Sequence, residues 1–86
     1  MLFITFLDIL PGQYTKAIRA FKNPKIEDNI EIKQSLWMFG KPDAFIIFET
    51  EDEQQAGEFV LQFGEVAAVR TSLVVPIENM RWTNIH

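Results

Sequence analysis

Eighty-six residues make one domain near the small end of the range in which a single core suffices, burying only about 60–65% of the unfolded surface. Twelve acidic against eight basic residues give a net charge of −4. That balance, with no Arg/Lys stripe interleaved with aromatics, argues against nucleic acid as a partner. The absence of cysteine excludes disulfides, thiolate metal sites and a cysteine nucleophile, and fits a cytoplasmic protein.

Hydrophobic residues make up 48% of the chain and eight residues are Phe, more than two-layer packing of so small a body is expected to hide. The excess points to an oligomer, with one face buried against a partner. The opening Met-Leu-Phe-Ile-Thr-Phe-Leu-Asp-Ile-Leu has the apolarity of a signal sequence. It lacks a positive leader and a small-residue cleavage site, and Asp8 interrupts it, so it reads as a core strand. No apolar run approaches the ~18–20 residues of a membrane span, and no membrane is expected.

Leu2 to Ile9 is apolar on both alternating sets, with Leu2, Ile4 and Phe6 on one face and Phe3, Leu7 and Ile9 on the other. This is the pattern of a central strand with material above and below. Pro11 and Gly12 end it. From Gly12 the period turns helical, with Tyr14, Ala17, Ile18 and Phe21 on one stripe. Lys16, Arg19 and Lys22 lie off that stripe, as a solvated basic face suited to a helix C-terminus, with an anion site as the alternative.

After the loop around Asn23, Pro24 and Glu27 to Asn29, the residues Ile30, Ile32, Leu36 and Met38 alternate with Glu31, Lys33 and Ser35. This period-2 alternation predicts a strand, its polar face turning aromatic at Trp37 and Phe39. Gly40-Lys41-Pro42-Asp43 is a turn, and Ala44 to Glu49 completes a hairpin with apolar residues on both faces. Thr50 and Glu53 fit a capping box opening a helix, with metal binding by Glu51, Asp52 and Glu53 as the sharper alternative. Ala56, Phe59, Val60 and Phe63 form its core stripe and Gly64 its stop. Gly57 inside this helix implies a close approach to a neighbouring element. Val66 to Val75 is the last strand, with Val69, Thr71, Leu73 and Val75 on one face and Arg70, Ser72 and Val74 on the other. Pro76 closes a domain over residues 1–76, leaving 77–86 as a C-terminal tail.

The order strand, helix, strand, strand, helix, strand predicts an α+β, ferredoxin-like βαββαβ fold, a four-stranded antiparallel sheet with two helices on one face. The other face is too apolar to be left in water, so a homodimer through that open face is expected. The sole histidine is His86, so neither a metal site nor a cofactor ligand is expected in the folded body. No glycine loop cradles a phosphate. The polar groups placed to serve a ligand are Trp37, Asp43, Arg70, Tyr14 and Ser72. Each has a structural reading beside it: Asp43 capping the turn, Arg70 paired with an acid or a partner subunit, Trp37 packed at a dimer interface. As a set, a stacking ring, a guanidinium and a donor would bind a small carboxylate-bearing molecule. Met80 and Trp82 read as anchors on another surface, such as the partner subunit.

The run Leu36-Trp37-Met38-Phe39-Gly40-Lys41-Pro42-Asp43, followed by an apolar strand, resembles the Gly-x-x-Asp turn of GYD-type domains, with Pro42 standing where their pattern has Tyr. Val69 to Leu73 is similar to their closing strand. The Met-Leu-Phe opening and the acidic helix after Phe48-Glu49-Thr50 resemble the DUF3303 type. Both resemblances imply a dimeric α/β barrel, two sheets packed face to face, in a group whose functions range from small oxygenases to ligand-sensing domains. Two readings follow. One is a homodimeric module binding a small molecule or a protein partner. The alternative is a small cofactor-independent oxygenase or isomerase of an aromatic or hydrophobic compound, with Asp43, Arg70 or Tyr14 handling protons.

Overall fold

A computed structural model describes residues 1–81; Trp82, expected as an anchor, and His86 lie outside the described residues. The chain runs β1 (Leu2–Ile9), α1 (Tyr14–Lys22), β2 (Glu31–Trp37), β3 (Ala44–Glu49), α2 (Glu53–Val60) and β4 (Ala67–Val74), with short 3-10 turns at Leu61–Phe63 and Ile77–Asn79. The strands form one antiparallel sheet in the order β2-β3-β1-β4. This is the expected ferredoxin-like α+β fold, with β1 and β3 central and β2 and β4 at the edges.

Burial in β1 alternates residue by residue. Phe3, Thr5, Leu7 and Ile9 are buried beneath the helices, while Leu2, Ile4, Phe6 and Asp8 on the other face are half-buried. The covered face holds a chain of rings. Phe48 lies 5.7 Å from Phe3 and 4.7 Å from Phe59, Phe59 meets Phe63 at 5.8 Å, and Phe63 meets Phe21 at 5.6 Å. Edge-to-face and tilted contacts of this kind add to the area each ring buries. Thr5 is the polar intruder. It is fully buried, and its hydroxyl is satisfied by the Thr71 hydroxyl at 2.6 Å and by donation to the Arg70 carbonyl oxygen at 3.2 Å.

β2 departs from its expected alternation. Ile32 pairs with Phe48 and Gln34 with Ile47, so the register skips a residue at Lys33. A bulge of one residue inverts the facing of everything after it. Ile32, Ser35 and Trp37 therefore face the helices, opposite Phe48, Ile46 and Ala44, while Leu36 turns to the open face opposite Phe45. The expected common face of Ile32 and Leu36 is corrected by this bulge. The bulge also has an electrostatic role. Glu31 and Glu49 stand directly opposed, and the Lys33 ammonium reaches both, at 3.0 and 3.3 Å. Those two carboxylates hold the Lys33 pKa above its ordinary value and remove a like-charge clash across the strands.

Both helices start later than the sequence pattern implies. α1 follows Gly12, whose φ of +79° suits glycine, and rests on Ala17 and Phe21 while Tyr14 and Ile18 stay exposed. The Thr50–Glu53 capping box is replaced by Asp52, whose carboxylate accepts from the Gln55 N–H at 2.9 Å. Thr50 is occupied elsewhere: its N–H donates to the Met1 carbonyl, the Met1 ammonium donates to the Thr50 carbonyl, and its hydroxyl donates to Gln55. Gly57 makes no close approach; a Cβ built there meets nothing within 4 Å. The Gly57→Ala variant should therefore be more stable by about 0.5–1 kcal/mol, read from the denaturation midpoint, because only the helix-propensity penalty of glycine is removed.

Candidate functional site

The β2–β3 turn is tied to the end of β1 by one carboxylate. The Asp43 N–H donates to the Leu7 carbonyl at 3.0 Å, and its Oδ2 accepts from the Ile9 N–H at 2.8 Å and from Lys41 Nζ at 3.0 Å. The Asp43 carbonyl accepts from the Met38 N–H, closing the hairpin. Asp43 is buried, and the Ile9 hydrogen bond, followed by the Lys41 ammonium, holds its pKa below the ordinary carboxylate value. Through these contacts Asp43 knits the β2–β3 turn to β1.

The other candidates separate onto different surfaces. Arg70 and Ser72 share the open face of the sheet, opposite Phe6 and Ile4, and the Arg70 guanidinium lies 5.2 Å over the Phe6 ring. Phe6 in turn contacts Phe45 at 6.3 Å. Tyr14 is half-exposed at the start of α1. Trp37 lies on the helix-side face at the exposed edge of the sheet, because the bulge at Lys33 turns it there. Trp37 and Arg70 thus occupy opposite faces and opposite edges of the sheet, and the expected stacking ring and guanidinium do not meet within one chain.

A groove of about 530 Å³ runs between α1 and the β2–β3 edge. Its apolar walls include Ile18, Phe21, Ile26, Ile32, Trp37 and Ile46, Leu36 and Phe45 border it at the sheet edge, and Lys22 and Ser35 are its polar members. The loop closing one end is pinned by Gln62, whose side chain accepts from the Lys25 N–H at 2.8 Å and donates to the Lys25 carbonyl at 3.0 Å. The groove was not legible in the residue pattern, since it depends on the phase of β2 after the bulge. The available signal was Ile26, an isolated apolar residue in a charged loop. Among the described residues no cluster of three or more His, Cys, Asp or Glu could hold a metal ion, and no helix is long and apolar enough to cross a membrane.

One sheet with two helices on one side, an apolar face on the other and a groove at the helix-side edge defines a two-layer ferredoxin-like domain. The chain belongs to the family described as a domain of unknown function, DUF3303, whose model matches residues 1–83. No curated protein matches it.

Asp43→Ala should cost about 1–3 kcal/mol, because the buried Ile9 N–H loses its acceptor. The pH dependence has a definite sign. A lowered folded pKa gives stability that is complete above about pH 4 and fades as the pH falls through the folded value. Thermal melts between pH 2 and 6 should show a shallower acid decline for Asp43→Asn than for the unaltered chain.

Proposed function

We propose that this protein is a homodimeric binding module in which two copies close their open sheet faces on each other as a dimeric α/β barrel. The carrying observation is the open face itself: Leu2, Ile4, Phe6, Leu36, Phe45, Ile47 and Val74 project from the side that carries no helix. An apolar patch spanning four strands favours burial against a partner. Polar groups on the same face support a second copy as that partner. Asp8 Oδ1 is buried without a hydrogen-bond partner, while Arg70 has no carboxylate within ion-pair distance among the described residues. Opposite charges on one self-complementary patch are reciprocally satisfied across a two-fold axis.

Binding is favoured over catalysis by the dispersal of the proton-handling candidates. Asp43 is committed to the turn, Tyr14 lies at the start of α1, and Arg70 sits on the open face. The absence of cysteine fits a cytoplasmic setting.

Ile47→Glu places a charge in the middle of the open face without touching the helix-side core. Light scattering should give the mass of two chains for the unaltered protein and of one chain for the variant, with unchanged circular dichroism. A single-chain mass for the unaltered protein across the accessible concentration range would overturn the dimer.

A further inference from the structure

We propose that the groove between α1 and the β2–β3 edge binds a small amphipathic acid, an apolar chain or ring carrying one carboxylate, with the carboxylate at Lys22 and the apolar end at Trp37. The size fits. Small-molecule sites occupy roughly 300–1,000 Å³, and this groove offers about 530 Å³. The walls fit as well. Ile18, Ile26 and Trp37 are 37%, 53% and 40% exposed, although each is large and apolar. Their exposure is concentrated around one concavity, and an apolar occupant would remove that area from water.

The polar groups select the charge of the occupant. Lys33 and Lys41 are both engaged by carboxylates, whereas Lys22 has no acidic partner among the described residues. It is the charged group on a lining otherwise supplied by apolar side chains and the Ser35 hydroxyl. A carboxylate completes this arrangement, while a cation would meet an ammonium in a low-polarity setting. The α1 C-terminus, whose partial charge is negative, makes the ammonium the group that must meet the anion. Lys22 carries its charge on a flexible stem and can do so beyond the last helical carbonyls.

The chain direction orders the two ends. α1 returns antiparallel to β1, and β2 runs parallel to β1, so Lys22 at the end of α1 lies toward Ile32 at the start of β2. Ile32 and Trp37 stand opposite Phe48 and Ala44, four residue steps on β3 because of the bulge, roughly 13 Å along a strand. A linear or aryl-alkyl acid of that reach spans the groove lengthwise. Gln62 holds the loop at Lys25 with two hydrogen bonds, which reduces the ordering that an occupant would have to bring about. The groove opens on the helix side of the sheet; Leu36 and Phe45 also border it at the sheet edge, whereas Ile47 in the middle of the open face does not.

The test is a titration of sub-micellar decanoate, with 1-decanol as the uncharged control, into the Trp82→Phe protein, in which Trp37 is the sole tryptophan. Decanoate should produce a saturable change in Trp37 emission. Lys22→Gln should weaken decanoate about three- to fivefold while leaving decanol within twofold. Ser35→Phe, which fills the groove from an exposed edge position, should abolish both, with circular dichroism confirming the fold. Ile47→Glu should leave binding intact. No saturable change, survival of binding in a folded Ser35→Phe protein, equal effects of Lys22→Gln on acid and alcohol, or loss of binding in Ile47→Glu would each overturn the proposal.

Discussion

Two helices can cover one face of a four-stranded sheet and leave the other bare, and this chain is apolar on both. The central strands show it directly. Phe3, Leu7, Ile46 and Phe48 are buried beneath the helices, while Ile4, Phe6, Phe45 and Ile47 project from the opposite side. Burial of the first set builds the ring chain from Phe3 through Phe48 and Phe59 to Phe63. The second set has no counterpart within the described chain. The remaining features of the molecule are best understood from that asymmetry, because a small domain with little stability margin is poorly served by an uncovered apolar face.

The bulge at Lys33 distributes the rest. By moving one residue out of register it sends Leu36 to the open face and Trp37 to the helix side. Without it, Trp37 would join Phe45 and Phe6, and the groove beside α1 would lose its aromatic wall. The bulge is held by the ammonium of Lys33 between Glu31 and Glu49. These are exposed ion pairs of small energy individually, yet their geometry suits a side chain that the bulge has already turned outward. Asp43 does the complementary work at the far end of the hairpin, fixing the β2–β3 turn to β1 through the Ile9 N–H.

The legible parts of the fold were those in which local pattern and tertiary packing agree. β3 runs from Ala44 to Glu49 as its alternation implies, and the facing of Arg70, Ser72 and Val74 in β4 follows from simple period-2 counting. The helix stripe of Ala56, Phe59 and Phe63 is buried. Three features were not legible, each for a stated reason. The Lys33 bulge leaves no mark in residue type, and it inverts Leu36 and Trp37. The start of α2 moved because Thr50 is drawn to Met1, a contact 49 residues away in sequence. Gly57 suggested close packing, but open space surrounds it. The expected ligand set was divided chiefly by topology: Trp37 and Arg70 stand on opposite edge strands, Asp43 is tied into the β2–β3 turn and Tyr14 starts α1. The bulge adds only the reversal of Trp37 to the other face from Arg70 and Ser72.

In the proposed dimer the sheet carries two apolar surfaces with different fates, one covered by a second copy and one open. Hydroxyl-radical footprinting over a dilution series reads both in one measurement. Phe6 and Phe45 should be protected at high concentration and become reactive on dilution, while Trp37 in the groove reacts throughout. If Phe6 and Phe45 react at every concentration as readily as Trp37, the open face is not covered by a second copy and the proposed dimer does not form.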